Sequence, residues 1–160
     1  MALTLKEVAI VNVGQICNRN PITVRRTDEL IRLAQLMREK HLGYLVVVEP
    51  NADQSLRPVG VVTDRDIVIS VVAAGSDPGT LCAGDIMTEQ PQIIGAEEPL
   101  ENALRQMRRI GVRRLPVVGQ RGDLVGVLSL DDILEVLAGE LQSVAGSVRN
   151  ERLIEGSLRP

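Results

Sequence analysis

The sequence holds a single aromatic residue, Tyr44, and neither tryptophan nor phenylalanine. Its core must be built from Val, Leu, Ile, Ala and Met, and it lacks the aromatic platform on which single-stranded nucleic acids stack. Two cysteines, Cys17 and Cys82, and one histidine, His41, are too few for a disulfide framework or a Cys/His metal cluster. The cysteines read as packing residues, in the reducing setting of the cytoplasm. No apolar run approaches the ~20 residues of a membrane span. The richest run, residues 59–74, is broken by Thr63, Asp64, Arg65 and Asp66. The first thirteen residues lack the basic start and long apolar stretch of a secretory signal. A soluble, cytoplasmic protein without membrane insertion is expected. With 18 basic against 21 acidic residues, the net charge of −3 offers no general polyanion-binding surface.

What the chain has is apolar residues, 44% of the total, arranged in a repeat. Gly14-Gln15-Ile16-Cys17-Asn18-Arg19-Asn20-Pro21 returns seventy residues on as Gly84-Asp85-Ile86-Met87-Thr88-Glu89-Gln90-Pro91. A short strand is predicted after each proline, Ile22-Thr23-Val24 and Gln92-Ile93-Ile94. A helix follows, with Leu30, Leu33, Ala34 and Met37 on one face, and Leu100, Ala103, Leu104 and Met107 on its counterpart. Gly43 and Gly111 are read as helix stops. His41 suits the C-terminal end of the first helix, where the dipole favours a cation. Two strands then close each unit, 44–48 with 59–63 and 115–118 with 124–129. A second helix ends it, 64–74 with Ile67, Val68, Val71 and Val72 inward, and 130–139 or beyond with Ile133, Leu134 and Leu137 inward.

Each unit is β-α-β-β-α over about sixty residues, too small to bury enough surface comfortably alone. The expected architecture is therefore α/β (α+β), two repeats packed about a pseudo-two-fold axis. The predicted division is an N-terminal extension (1–13), repeat 1 (14–75), repeat 2 (82–140) and a polar tail (141–160) that in part continues the last helix.

The sharpest motif is Gly60-Val61-Val62-Thr63-Asp64-Arg65-Asp66-Ile67, restated as Gly126-Val127-Leu128-Ser129-Leu130-Asp131-Asp132-Ile133. Each places a hydroxyl and an aspartate at a strand-to-helix corner. There the backbone N–H groups of the first turn are free and the dipole is positive, a setting that suits phosphates and ribose hydroxyls. The same spacing is also a capping box, which needs no ligand. The paired carboxylates Asp64/Asp66 and Asp131/Asp132 come with no nucleophile, base or metal ligands, so catalysis is not expected. Arg105, Arg108, Arg109, Arg113 and Arg114 form the densest basic cluster. Most of it reads as a solvated helix face, with Arg113 and Arg114 nearer the proposed pocket.

Together, the two corners, Ile86-Met87-Thr88 with Pro91, and Arg113-Arg114-Leu115-Pro116-Val117-Val118 resemble a tandem pair of cystathionine-β-synthase (CBS) domains, a Bateman module, over residues 14–139. The resemblance implies an adenosine-containing ligand (AMP, ADP, ATP or a relative) bound as a regulatory signal, with no catalytic cofactor or metal. It also implies a homodimer formed through helix faces, and an enzyme or transporter regulated in trans. Carried over residue by residue, Thr63 and Ser129 would donate to phosphate, and Asp66 and Asp132 would accept from ribose hydroxyls. Gly60 and Gly126 would admit a close approach of ligand or neighbouring strand. Ile22, Ile93, Tyr44, Leu115 and Pro116 would wall the adenine, and Arg114 would reach a phosphate. Arg65 should favour a highly charged ligand at the first corner, whereas Asp131 should repel one at the second. The alternatives are a dimerisation scaffold whose corners only cap helices, and a nucleic-acid-associated protein using the arginine cluster.

Overall fold

The computed structural model describes residues 11–158, with side chains to residue 151; readings of residues 1–10 lie outside the described residues. Repeat 1 runs α1 (Val13–Ile16), β1 (Thr23–Val24), α2 (Leu30–Lys40), β2 (Tyr44–Pro50), β3 (Leu56–Thr63) and α3 (Asp64–Ile67). A π-helical turn, Val68–Val72, extends α3, and a 3₁₀ turn at Pro78–Thr80 leads to repeat 2. Repeat 2 runs α4 (Ala83–Ile86), β4 (Thr88–Glu89), β5 (Ile94–Gly95), α5 (Leu100–Ile110), β6 (Arg114–Val118), β7 (Leu124–Ser129) and α6 (Leu130–Leu158). The mixed α/β class and the two-repeat plan are as expected from the sequence.

Two small sheets hold the strands, in the orders β1-β2-β3-β4 and β5-β6-β7. In each, the first strand pairs parallel to the second and the second antiparallel to the third. The fourth strand of the first sheet comes from the other repeat: β4 pairs antiparallel with β3, Val61 opposite Thr88. The equivalent bridge joins Asn18 to Val127 of β7, with N–H···O distances of 2.9 and 3.0 Å.

The short helices cross over as well. Val13 and Cys17 are buried with Leu115, Val117, Leu128 and Ile133 of repeat 2. Ala83 and Met87 are buried with Leu33, Leu45, Val47 and Val62 of repeat 1. Each repeat therefore supplies a lead-in segment to the core of the other. This reciprocal exchange is what a pseudo-two-fold relation produces, and the sequence reading did not include it.

Local departures have physical causes. The αL residue ending α2 is His41 (φ 54°), seventy residues before Gly111 (φ 72°), which ends α5; Gly43 is not the stop. Ala34 is exposed, and beside it Leu36 packs partly buried against the core. Val68, Val72, Leu134 and Leu137, expected inward, are exposed, so the second helices bury a narrower face than their apolar content suggests. Among the described residues, no helix is long and apolar enough to cross a membrane, and no cluster of His, Cys, Asp and Glu could hold a metal ion.

Candidate functional site

Both strand-to-helix corners close as capping boxes. Thr63, the last residue of β3, receives the Asp66 N–H on Oγ1 at 3.2 Å. In return its own N–H and hydroxyl both donate to Asp66 Oδ2, each at 2.7 Å. Ser129, at the end of β7, repeats the arrangement with Asp132 at 3.1, 2.7 and 2.6 Å. An N-terminal β-region residue with a short hydroxyl side chain is what this geometry requires.

The boxes alter the expected roles. Each hydroxyl proton is committed to its own aspartate, so Thr63 and Ser129 present an acceptor, not a donor, to a phosphate. The amides of the first turn of α3 are engaged too: Asp64 N–H donates to the Gly43 carbonyl (3.3 Å) and Arg65 N–H to Asp64 Oδ1 (2.8 Å). At the second corner, Leu130 N–H donates to the Arg113 carbonyl at 2.8 Å. The free amides expected there are largely used within the chain. What stays open is the aspartates' second oxygen, Oδ1, which receives no hydrogen bond from the described residues at either corner. A carboxylate oxygen with free lone pairs suits the two O–H donors of a cis-diol.

Two clefts lie at these corners, each drawing on both repeats. The first, of about 620 Å³, joins Thr63, Arg65 and Asp66 of repeat 1 to Gln92, Val112, Arg113, Arg114 and Leu115 of repeat 2. The second, of about 160 Å³, joins Ser129 and Asp132 of repeat 2 to Ile22, His41, Leu42, Tyr44 and Val46 of repeat 1, with Arg114 alongside. Small-molecule and cofactor pockets measure roughly 300–1,000 Å³, so the first cleft falls within that range and the second below it.

Of the sequence-predicted site residues, Thr63, Asp66, Arg65, Tyr44, Arg114 and Leu115 line the first cleft, and Ser129, Asp132, Ile22, Tyr44 and Arg114 the second. Ile93 lines neither; it is exposed outside, its carbonyl accepting from Gln106 Nε2. Gln92, seventy residues after Ile22, takes the equivalent place, so strict repeat register would have found it where apolarity misled. Pro116 is buried in the sheet, and its repeat-1 counterpart Val46, equally buried, lies beneath the second cleft.

Gly60 and Gly126 belong to the crossover and not to a cleft. A Cβ on Gly60 would strike Met87 Sδ, and one on Gly126 would strike the Asn18 carbonyl, with Cys17 Sγ at 2.9 Å. Asp131 does not line the second cleft; its carboxylate lies 3.6 Å from Arg113. Arg105 pairs with Glu101 at 2.8 Å, and Arg108 and Arg109 are exposed on α5.

Tyr44 and Arg114 hold equivalent places, each the first residue of its middle strand. Register sets Tyr44 opposite Thr63 and Arg114 opposite Ser129. The two meet between the clefts, the Arg114 guanidinium carbon 5.9 Å from the Tyr44 ring centroid, in cation–π range. Burial raises the Tyr44 phenol well above the ordinary tyrosine range, opposed in part by the Arg114 charge.

Comparison with known proteins places the repeat in a family. The family model for the CBS domain matches residues 13–73 and 83–139. Protein MK0525 of Methanopyrus kandleri is 39% identical over 128 residues, 79% of this chain and 62% of that protein, so this chain spans less than two thirds of that relative's length. Hypoxic response protein 1 of Mycobacterium tuberculosis is 36% identical over 124 residues, 78% of this chain and 79% of the relative. The structure of CBS domain protein PAE2072 from Pyrobaculum aerophilum, complexed with AMP, superposes with a TM-score of 0.67 at 30% identity. It covers 76% of this chain and 89% of that one. The chain belongs to the CBS domain family and carries two of the domains in tandem.

Proposed function

We propose that this CBS pair is a regulatory module that binds an adenosine-containing ligand in the clefts between its repeats and passes the signal to a partner protein in trans. One observation carries the reading. Each cleft sets a carboxylate with an open oxygen opposite an apolar wall from the other repeat, with arginine at the side. In the first cleft, Asp66 Oδ1 would take the ribose hydroxyls, Val112 and Leu115 the base, and Arg65, Arg113 and Arg114 the phosphates. In the second, Asp132, Ile22 and Tyr44 play the corresponding parts with Arg114. The AMP complex of the Pyrobaculum relative supports adenosine as the ligand class. Three arginines against Asp64 and Asp66 at the first cleft, and one against Asp132 at the second, favour the more charged ligand at the first. Ligand spanning a cleft would tie the lead-in segment of one repeat to the corner of the other, which is how binding energy reaches the surface.

The reading is tested by thermal shift with AMP, ADP, ATP, NAD, S-adenosylmethionine and a guanine control. Ligand at 100 times its dissociation constant stabilises by about 2.7 kcal/mol, a rise of roughly 5–10 °C in a domain of this size. An adenosine-specific shift that shrinks in both Asp66→Ala and Asp132→Ala supports it. No shift at millimolar ligand favours the second reading, a scaffold, which the ligand-free completeness of both capping boxes would explain.

A further inference from the structure

The two clefts have unequal supplies of positive charge. The first has Arg65 and Arg113 in its lining as well as Arg114, against the carboxylates of Asp64 and Asp66. The second has Arg114 alone, beside His41. Arg114 lies over Tyr44 at the junction of the two, opposite Ser129 by register but lining both clefts. One guanidinium cannot make full contacts in both places at once, and at 5.9 Å from the Tyr44 centroid, the outer edge of cation–π range, it is free to turn to either.

We propose that Arg114 is a single cation shared by the clefts, so that a phosphate-bearing ligand in one weakens the binding of a second such ligand in the other. The inference rests on the nucleotide reading above and adds a coupling to it. A phosphate in the first cleft draws the guanidinium off the tyrosine ring toward Arg65 and Arg113. The second cleft is then left with a carboxylate, Asp132, and no arginine. Reciprocity requires the converse: a ligand anchored on Arg114 in the second cleft removes one of the three cations of the first. The ring of Tyr44 provides the resting position, half-buried and opposite Thr63, from which either displacement begins.

Calorimetric titration with ADP separates the possibilities. Asp132→Ala leaves only the first cleft competent and Asp66→Ala only the second, which gives the affinity of each cleft with the other empty. Sharing requires that the weaker step of the wild-type titration be at least about fivefold weaker than the same cleft measured alone. Introducing Arg114→Gln into wild type and both variants should weaken both clefts and bring that ratio to one, with the first cleft still bound through Arg65 and Arg113. A wild-type titration that equals the sum of the two single-cleft curves overturns the sharing and leaves the nucleotide reading intact. Absence of binding by wild type and both variants overturns the nucleotide reading and the sharing with it.

Discussion

At the scale of single residues, the repeat hides inequalities that its matching letters do not show. Gly60 and Gly126 occupy equivalent places, yet one faces the flexible end of Met87 and the other a backbone carbonyl. A methionine side chain can move aside; the Asn18 carbonyl is held by its bond from Val127 N–H at 3.0 Å. Gly126→Ala should therefore cost about 2–3 kcal/mol and Gly60→Ala about 1 kcal/mol or less, read as midpoint shifts in urea. Equal losses would mean that the crossover strands yield as easily as a side chain.

The chain's lone aromatic gives a second test. Burial holds the Tyr44 phenol protonated in the folded state beyond the ordinary value of about 10 that the unfolded chain would show. The native protein should show no 295 nm phenolate step near that pH, whereas the urea-unfolded chain should. An acid whose folded pKa is raised contributes its full stability below the unfolded pKa and loses it above, so stability should fall as pH rises past about 10. A native step at the unfolded pKa would place Tyr44 in water.

At the scale of elements, the helix and strand pattern was legible because local chemistry decides it. The apolar runs of β2, β3, β6 and β7 and the spaced leucines and methionines of α2 and α5 point to the same elements in sequence and structure. Where tertiary context decides, local reading failed. Nothing local marks Thr88–Glu89 as a strand, since its partner Val61 is supplied by the other repeat. Ile93 looked like the wall residue because it is apolar, while register gives the place to Gln92. His41 adopts the αL conformation without being glycine because the helix closes there as it does at Gly111: Leu42 N–H donates to the Met37 carbonyl at 2.9 Å, and Val112 N–H to that of Met107 at 3.1 Å.

The last helix, expected over 130–139 or beyond, runs through most of the tail. It continues to Leu158, and Leu134, Leu137, Leu141, Val144 and Val148 stand exposed along it at alternating spacings of three and four. That spacing makes an apolar seam of the kind two helices share, which a homodimer would bury. Leu141, exposed to 71%, contributes little to the fold of one copy. Leu141→Glu should convert a dimer to a monomer in sedimentation equilibrium with little change in helical circular dichroism. Dimer retained at the wild-type dissociation constant would exclude the seam as the contact.

At the scale of the whole molecule, the repeats are units of sequence but not of packing. The first core lacks Ala83 and Met87 until repeat 2 supplies them, and the second lacks Val13 and Cys17 until repeat 1 does. The clefts follow the same logic, with each corner walled by the other repeat. A unit of about sixty residues is marginal even with its core complete. A chain cut in the exposed connection after Thr80 should thus give two fragments that are each without a cooperative thermal transition. Mixed in equal amounts, they should recover one transition, together with the high Tyr44 pKa, since both depend on contacts across the cut. If the fragment 1–80 alone melted cooperatively with the midpoint of the intact chain, the exchanged segments would be ornamental to stability. The clefts would then be a contact between two independent folds, and a ligand bridging them would have little to transmit.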